Sequence, residues 1–361
     1  MHKMDVVVFG SINIDDIYTV PDIAQPGQTI ACTSFTVLPG GKGANQSVAL
    51  AKAGIPVMHA GRVGRDGTWL LDLMRSHGVD TALVAVDDVH PTGRAIIQVS
   101  AATGDNAIVL NPGANHLVSH ADADAALAKL RAGDLVLLQN EHNVPATAAM
   151  MRAAHARDLV VCLNPAPCPD SLAADLPLDC VDVLVLNDSE SASLMRQLRG
   201  VHGAHGGHGG HLDRDVGAFV QRCSDLMLAL PAVRVLVITL GPLGAVAGLR
   251  HAIASTPGVF HQPVDRPVSV VDTTGAGDTF VGFLCAGFVE HVRRAGVHAS
   301  DAASSAHRKQ LVLDAMAGRD GETLRACVRL GIAAAGLCCE QPGAMTAIPL
   351  RVQVDAALGL A

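Results

Sequence analysis

The chain has 361 residues, a formal net charge of −8, 49% hydrophobic residues and 17% charged residues. This length is enough for one large core or for two domains, and the low charge content excludes a disordered polyelectrolyte. Aromatic residues amount to 2% and no basic run is sustained. Nucleic-acid binding, which needs cations and stacking rings, is therefore not expected.

The sequence carries no signal for a membrane or for secretion. It has no uninterrupted apolar run of about 18 residues, the length needed for a membrane-spanning helix. The opening MHKMDVVVFG enters an apolar strand at once and lacks the apolar core and cleavage site of a signal peptide. The nine cysteines are scattered without a C-x-x-C pair, which favours reduced, buried thiols. We expect a cytoplasmic protein with no membrane partner.

Short runs rich in Val and Leu, without polar alternation, predict parallel strands that are buried on both faces. These runs lie at 6–10, 135–139, 159–164, 181–187 and 233–241. Alanine-rich helical stretches lie at 45–54, 121–133 and 145–158. Because strands alternate with helices, we predict an α/β fold in which a mostly parallel central sheet is flanked by helices, within a single domain over 1–361.

Two segments, 16–41 and 92–115, have β-branched residues in partial alternation, broken by Pro and Gly. They predict antiparallel strands outside the main sheet, with a hairpin turn at 102–106. We expect a small β-sheet lid, built from 14–40 and 92–112, over the carboxyl edge of the main sheet.

Two further stretches, 200–213 and 293–320, lack packing periodicity and are predicted to be exposed insertions of low complexity. In the first, histidines recur at every third position, a density that can chelate zinc or nickel. They are His202, His205, His208 and His211. Because the spacers are almost all glycine, the rigid supporting groups of a metal site are missing. We expect a flexible insertion here.

Polar residues follow four of the predicted strands. They are Asn13 and Asp15, Asn140 and Glu141, Asn187 and Glu190, and Thr239 with Gly241. Open α/β sheets bind ligands at the carboxyl ends of their strands, where such groups gather. Any one Asn or Asp could instead cap the next helix. Four groups together favour a ligand site.

The stretch PGGKGANQSVALAKAG (39–54) places Gly40, Gly41 and Gly43 just before a helical pattern. Glycines there let the backbone approach a ligand, and the helix N-terminus offers free N–H groups. The spacing matches neither a Walker A motif nor a Rossmann fingerprint. The loop is either a ligand contact or a plain helix N-terminus.

The stretch DTTGAGDTF (272–280) brings Gly275, Ala276 and Gly277 up to Asp278 at the start of a predicted helix. Successive backbone N–H groups at a helix N-terminus form a hole for an oxyanion, which would stabilise a transferring phosphoryl group. Asp278 is then placed to accept a proton from an attacking hydroxyl. The helix dipole favours an acidic residue there in any case, so spacing alone does not decide between these roles.

These two stretches resemble the signatures of the ribokinase-like (PfkB-type) carbohydrate kinases. FGSINIDD (9–16), LNPAP (163–167), NDSE (187–190) and TLGPLG (239–244) follow in the order that the family has them. The resemblance spans residue 5 to about residue 350, without the two insertions. The form GGKGANQ is more similar to the ribose-phosphorylating branch than to the fructokinase or adenosine kinase branches.

The resemblance implies a Rossmann-like sheet domain with a β lid that often packs against a partner's lid in a homodimer. The implied reaction is ATP-dependent phosphorylation of the primary 5-hydroxyl of D-ribose, giving D-ribose 5-phosphate. The alternatives are a kinase for another small sugar or a nucleoside, or a non-catalytic sensor of sugar or nucleotide on the same fold. Degenerate members usually lose the aspartate or the glycines, and Asp278, Gly275, Gly277 and Lys42 are all present.

The resemblance also implies a role for each site residue. The sugar would contact Asn13, Asp15, Gly41, Lys42, Asn45, Glu141 and Asp278. Asp278 would be the base, and Gly275, Ala276 and Gly277 would form the anion hole. The nucleotide would contact Asn187, Thr239, Gly241, Gly244, Gly277 and Ile332.

Metal ions are implied as well. Glu190 would help to organise Mg²⁺ and its water, and K⁺ would be held by backbone carbonyls of two loops. These carbonyls belong to Asp272, Thr274, Cys338, Gln341 and Gly343. The chain departs from the family at Ile332, where a His or Asn is common, and at Ala347, where a polar residue is common.

Overall fold

The structure is a computed structural model that describes residues 4–200, 215–250, 258–297, 304–318 and 321–360. The strands are β1 (Val6–Phe9), β2 (Asn13–Val20), β3 (Ser34–Gly40), β4 (Val57–Gly64), β5 (Val79–Asp87), β6 (Gly93–Ser100), β7 (Asn106–Asn111), β8 (Leu135–Leu138), β9 (Val160–Leu163), β10 (Val183–Asn187), β11 (Val235–Thr239), β12 (Ala245–Leu249) and β13 (Gly258–Gln262).

The helices lie between these strands and after the last of them. They are α1 (Lys42–Lys52), α2 (Thr68–Ser76), α3 (His120–Leu127), α4 (Val144–Ala156), α5 (Leu172–Asp175), α6 (Asp188–Leu198), α7 (Val216–Ala229), α8 (Ala276–Arg294), α9 (Ser305–Ala317), α10 (Glu322–Cys339) and α11 (Arg351–Ala357). Within the described residues, no helix is both long enough and apolar enough to cross a membrane.

The described strands form a central sheet in the order β13-β12-β11-β10-β9-β8-β1-β4-β5. The pairs from β11 to β5 are parallel, whereas β12 pairs antiparallel with both β11 and β13. The strands β1, β8 and β9 are buried along their whole length. The predicted α/β fold with a mostly parallel sheet is confirmed, because runs of Val and Leu without polar alternation suit strands covered by helices on both faces.

The small sheet runs in the order β3-β2-β6-β7. Its outer pairs are antiparallel as predicted, but the prediction is wrong for the central pair, because β2 and β6 are parallel, with Asn13 opposite Gly93. Both strands leave the same edge of the central sheet, β2 just after β1 and β6 just after β5. Two strands that depart from one edge in one direction can pair only in parallel.

The prediction of an exposed insertion at 293–320 is wrong for much of that stretch. Helix α8 continues to Arg294, and α9 buries Val312, Leu313 and Met316. The polar residues that suggested exposure include Arg308 and Lys309, which are buried. Lys309 Nζ lies 2.8 Å from Asp182 Oδ2 at the amino edge of the sheet. The predicted insertion at 200–213, with its four histidines, lies outside the described residues apart from Gly200.

Candidate active site

Two close helix contacts bring the site together. Helix α1 approaches β1 where Gly10 and Gly43 meet, and a Cβ atom on Gly43 would lie 2.5 Å from Gly10 Cα. Helix α8 approaches α1 at Gly282, where a Cβ atom would lie 2.3 Å from the Ala49 Cβ. Because glycine lacks that atom, the two helix N-termini converge at the carboxyl edge of the sheet.

Asp278, in the first turn of α8, is buried at 7% exposure. The side-chain amide of Asn45 donates to its Oδ2 at 3.0 Å, and that of Gln46 donates to its Oδ1 at 3.0 Å. Both donors belong to α1. Each carboxylate oxygen therefore holds one amide N–H, and further lone pairs remain on both oxygens.

Glu141, which follows β8, ties the glycine loop to the end of β1. Its Oε2 accepts the Ser11 hydroxyl at 2.5 Å and the Lys42 backbone N–H at 3.1 Å. Burial raises the pKa of Glu141, although the nearby Lys42 ammonium opposes this shift. The Asp278 carboxylate, followed by Glu141, raises the pKa of Lys42 against its own burial. Lys42 is thus the cation at the centre of several carboxylates.

Asp15 on β2 packs directly against Gly40, where a Cβ atom would come within 2.2 Å of its Oδ2. Burial, and then the charges of Glu141 and Asp278, raise the pKa of Asp15 to about 7. On the same strand, Asn13 Oδ1 accepts the Asn115 side-chain amide at 2.7 Å. Asn13 and Asp15 thus place a buried amide and a carboxylate with a raised pKa at the start of the small sheet.

The glycine stretch before α8 has the geometry of an anion hole. Gly275 takes φ +77° as the N-cap, and a Cβ atom there would strike Ala344, so other residues fit poorly. At Gly277 a Cβ atom would meet nothing within 4 Å. The Ala276 N–H already donates to Thr273 O at 3.2 Å, whereas no described residue accepts the N–H of Gly275 or Gly277. Those two N–H groups are available to a ligand.

Two cavities meet beside this stretch at Thr239, Thr273 and Gly277. The polar cavity, of about 210 Å³, is bordered by Lys42, Asn164, Asn187, Glu190 and Asp278, among others. The apolar pocket, of about 400 Å³, is bordered by Gly241, Gly244, Val268, Phe280, Ile332 and Leu358, among others. A charged cavity joined to an apolar one suits a ligand with a phosphate chain and a flat base.

Asn187 and Glu190 form a reciprocal capping box at the start of α6. Asn187 Oδ1 accepts the Glu190 N–H, and Glu190 Oε2 accepts the Asn187 N–H, each at 2.8 Å. The capping alternative therefore describes the structure, and both residues also border the smaller cavity. Burial raises the pKa of Glu190.

The two loops expected to hold a monovalent cation lie side by side. Asp272 accepts the Thr274 N–H on Oδ1 and the Gly343 N–H on Oδ2, each at 2.9 Å. No described residue donates a backbone hydrogen bond to the carbonyls of Asp272, Gln341 or Gly343, whereas the Cys338 carbonyl accepts the Gln341 N–H at 3.1 Å. The Thr274 carbonyl accepts the Cys338 thiol at 3.9 Å, so three of the five expected carbonyls are unshared.

Sequence reasoning missed several polar residues of the site. They are Ser11, Gln46, Thr273, Asn115, Gln139 and Asn164. Gln46 and Asn164 lie inside the quoted stretches GGKGANQ and LNPAP, so the motifs contained them, but nothing in their spacing shows that they meet. Gln139 is the last residue of the run 135–139, whose pattern predicts only a strand.

A carboxylate beside free N–H groups at a helix N-terminus, facing a charged cavity and an apolar pocket, defines a phosphotransferase that acts on a small hydroxyl compound. The family model for "pfkB family carbohydrate kinase" matches residues 3–351. The chain belongs to the pfkB family of carbohydrate kinases.

Comparison with individual relatives assigns the chain to the ribokinase type within this family. The chain is 32% identical to the ribokinase of Bacillus subtilis (strain 168) over 281 residues, which cover 76% of this chain and 83% of the relative. A ribokinase from Cryptococcus neoformans var. grubii serotype A, solved in complex with ADP, superposes with a TM-score of 0.74 at 28% identity, covering 98% and 99% of the two chains.

A nucleoside kinase from Burkholderia thailandensis, in complex with inosine, superposes with a TM-score of 0.68 at 20% identity and shows the shared fold. It covers 97% of this chain and 95% of its own. The relatives and the site together make this chain a sugar kinase of the ribokinase type.

Proposed function

We propose that this kinase transfers the γ-phosphoryl group of ATP to the primary 5-hydroxyl of D-ribose, giving D-ribose 5-phosphate and ADP. The observation that carries the proposal is the placement of Asp278, which two amides hold at the first turn of α8 and which borders the polar cavity. The similarity to the Bacillus subtilis ribokinase supports ribose as the acceptor, and the ADP complex of the Cryptococcus relative supports ATP as the donor.

The sugar would lie between the start of the small sheet and the glycine loop. Asn13, Asp15, Lys42, Asn45 and Glu141 offer amides, carboxylates and an ammonium there. Gly41 takes φ +93°, and a Cβ atom there would lie 2.7 Å from Asn13 N. A sugar presents donors and acceptors on every face, and this set supplies both kinds. Asn45 Oδ1 is buried without a partner among the described residues, which leaves it an acceptor for a sugar hydroxyl.

In the reaction, Asp278 accepts the proton of the 5-hydroxyl as that oxygen attacks the γ-phosphorus. The new P–O bond forms while the bond from the γ-phosphorus to the bridging oxygen breaks, and ADP leaves with that electron pair. The N–H groups of Gly275 and Gly277 would donate to the oxygens of the transferring group. Fixed donors aimed at charge that develops in the transition state lower its free energy without reorganisation.

The nucleotide would span both cavities. Asn187 and Thr239 border the polar cavity and would lie near its phosphates, and Gly241 and Gly244, both with positive φ, line the apolar pocket. The base would rest in that pocket against Ile332 and its aliphatic neighbours.

Metal ions fit this site. Asp15, Glu141, Glu190 and Asp278 surround one lysine, so a triphosphate needs added positive charge; we propose Mg²⁺ with ATP, near Glu190. The unshared carbonyls of Asp272, Gln341 and Gly343, with those of Thr274 and Cys338, would hold K⁺. Bound there, the cations would neutralise phosphate charge and order the anion hole.

We also propose a homodimer formed through the small sheet. Its apolar side chains Phe35, Val37, Ile96 and Val109 are exposed at 40–63% and, by the strand register, lie on one face of that sheet. A contiguous apolar surface of this kind is typical of a protein interface. Light scattering of the wild-type protein and of an Ile96→Lys, Val109→Lys double variant tests this, because the charged variant is expected to be a monomer.

The function is tested by ADP release from the purified protein with MgATP and D-ribose, first with K⁺ and then with Na⁺ as the sole monovalent cation. 2-Deoxyribose, fructose and adenosine serve as parallel acceptors, and phosphorus NMR locates the phosphate on the product. Turnover on ribose that rises with K⁺, with phosphate at the 5-position, is the expected result. Turnover on adenosine instead would make this a nucleoside kinase. Ribose binding without turnover on any acceptor would make it a sensor.

A further inference from the structure

Gln46 is a fully buried glutamine on α1 whose side-chain amide has every group engaged. Its Nε2 donates to Asp278 Oδ1 and to Asn164 Oδ1, each at 3.0 Å. Its Oε1 accepts the Gln139 side-chain amide at 2.7 Å. A flipped amide would place its oxygen against two acceptors and its nitrogen against a donor, so the network fixes one orientation.

The partners of Gln46 are themselves held by the ends of adjacent strands. Gln139 directly follows β8 and Asn164 directly follows β9. The Asn164 side-chain amide also donates to the Val185 carbonyl of β10 at 3.0 Å. Gln139 and Asn164 are 2% and 8% exposed. Residues at the ends of three neighbouring strands thus hold the Gln46 side-chain amide, which contacts Asp278. We call Gln139 and Asn164 together the brace.

The charges around Asp278 explain why hydrogen bonds are needed to fix the orientation of its carboxylate. The Lys42 ammonium attracts the Asp278 carboxylate, whereas the carboxylates of Asp15, Glu141 and Glu190 lie in the same region of the site. A carboxylate in such a field turns readily about its side-chain torsion unless hydrogen bonds hold both oxygens. Asn45 holds one oxygen and Gln46 holds the other.

We propose that Gln46 is a positioning residue, which directs the Asp278 carboxylate toward the acceptor hydroxyl through the brace of Gln139 and Asn164. The inference rests on the proposed function, because it assigns Gln46 to the base of that reaction. Proton transfer and attack need the reacting groups within hydrogen-bond reach and in line, so a turned carboxylate lowers turnover more than it lowers sugar binding.

The first test is Gln46→Met, which keeps the side-chain length and removes all three hydrogen bonds. We expect kcat to fall about 10- to 100-fold, which is part of the roughly 10²- to 10⁴-fold that general-base catalysis supplies. The dissociation constant for ribose, from calorimetry, should change less than about threefold, because Gln46 does not border the proposed sugar subsite. The matched control is Gln197→Met on α6, which also removes a glutamine whose amide donates to Pro169 O and accepts the Ala173 N–H. That control should lose stability and keep its kcat.

The second test is the pH profile of Gln46→Glu. While the introduced carboxyl group is protonated it can donate to Asp278 Oδ1, whereas its ionised form repels that oxygen. We expect kcat of this variant to fall as the pH rises from about 6 to about 9 while the wild-type kcat does not. A purely structural role predicts a loss that is the same at every pH.

These outcomes separate the two proposals. A wild-type protein without turnover on any acceptor overturns the proposed function. A wild-type protein that turns over, with a Gln46→Met kcat within about twofold of wild type or with parallel pH profiles in Gln46→Glu, overturns the positioning role. If circular dichroism shows that Gln46→Met does not fold, Gln139→Met decides, because it removes one member of the brace and leaves the hydrogen bond from Gln46 to Asp278. An unchanged kcat there contradicts the proposal, and a fall in kcat with unchanged ribose binding supports it.

Discussion

Gly282 of α8 lies so close to Ala49 of α1 that a Cβ atom at position 282 would come within 2.3 Å of the Ala49 Cβ and 3.1 Å of the Gln46 carbonyl oxygen. This contact sets the separation of the helix that carries Asn45 and Gln46 from the helix that carries Asp278. The distance between the Asp278 carboxylate and its amide donors therefore depends on the absence of a methyl group at position 282.

Gly282→Ala is expected to push α1 away from α8, lowering the free energy of unfolding by about 1–3 kcal/mol and kcat by about tenfold. Urea unfolding and ADP release measure the two effects. Gly287→Ala is the matched control, since a Cβ atom there would lie 2.9 Å from Cys327 Sγ, away from the site. It should lose stability and keep its kcat. An equal loss of kcat in both variants would show that the α1–α8 spacing has no special role.

Gly277→Ala should separate stability from activity. The added methyl group meets nothing within 4 Å, and alanine in a helix is about 0.5–1 kcal/mol better than glycine. The melting temperature should therefore stay the same or rise. Because the methyl group would occupy the space of the transferring phosphoryl group, we expect kcat/KM for ATP to fall at least about 100-fold, as when a hole donor is lost.

Gly275→Ala is the companion variant for this prediction. Its φ of +77° and its contact with Ala344 predict a loss of both stability and activity. Full activity in Gly277→Ala would place the phosphoryl group elsewhere.

The raised pKa of Asp15 predicts that the affinity of the protein for the sugar depends on pH. Its pKa is raised to about 7, first by burial and then by Glu141 and Asp278. Below that pH it is protonated and is a weaker acceptor for sugar hydroxyls. The dissociation constant for ribose should therefore fall as the pH rises through about 7, and Asp15→Asn should flatten this dependence. A wild-type titration that is equally flat would exclude Asp15 as the titrating group.

The same pKa shift has the opposite effect on stability. Between its ordinary pKa of 3.8 and the raised pKa of about 7, the folded Asp15 holds a proton that the unfolded chain has released. Its contribution to the free energy of unfolding is complete below the lower value and is lost as the pH rises through the upper one. Asp15→Asn should remove this part of the pH dependence of unfolding, measured by urea titration at several pH values.

The buried pair of Lys309 and Asp182 predicts a change in stability without a change in catalysis. Lys309→Met leaves the Asp182 carboxylate buried and unpaired, which costs about 3–5 kcal/mol. Adding Asp182→Asn removes that charge and should restore part of the loss, because the side-chain oxygen of the introduced amide can still accept the Val161 N–H that Asp182 accepts at 2.8 Å. Both variants should keep the wild-type kcat at a temperature where they are folded. A large fall in kcat would connect α9 to the site.

The sequence was sufficient to predict what depends on local pattern. The Val- and Leu-rich runs identified β1 and β8 to β11 because fully buried parallel strands have that composition. The strands β4, β5, β12 and β13 were not predicted, because their small or partly exposed residues, such as Ala245 and Gly248 of β12, give a weaker pattern. Helix α9 was misinterpreted because the pairing of Lys309 with Asp182 joins residues far apart in the chain.

The candidate site also divides into residues that a local motif predicts and contacts that only the fold creates. Asp278, Gly275 and Gly277 lie in a short motif whose composition indicates an anion hole, and all three border the polar cavity. Gln46 also lies in a motif, but its contact with Asp278 joins residues 232 positions apart. A contact between residues so far apart in the sequence cannot be predicted from a local pattern. The contact follows from the close approach of α1 and α8, which only the assembled fold defines.

The most direct test of the proposed reaction is the turnover of Asp278→Asn on D-ribose with saturating MgATP, beside the wild type and the exposed control Asp72→Asn. Ribose binding is measured by calorimetry on the same samples. We predict that Asp278→Asn binds ribose within about threefold of wild type while its kcat falls about 10²- to 10⁴-fold, the range of general-base catalysis. A kcat within about threefold of wild type, in a folded variant that binds ribose, would contradict Asp278 as the base.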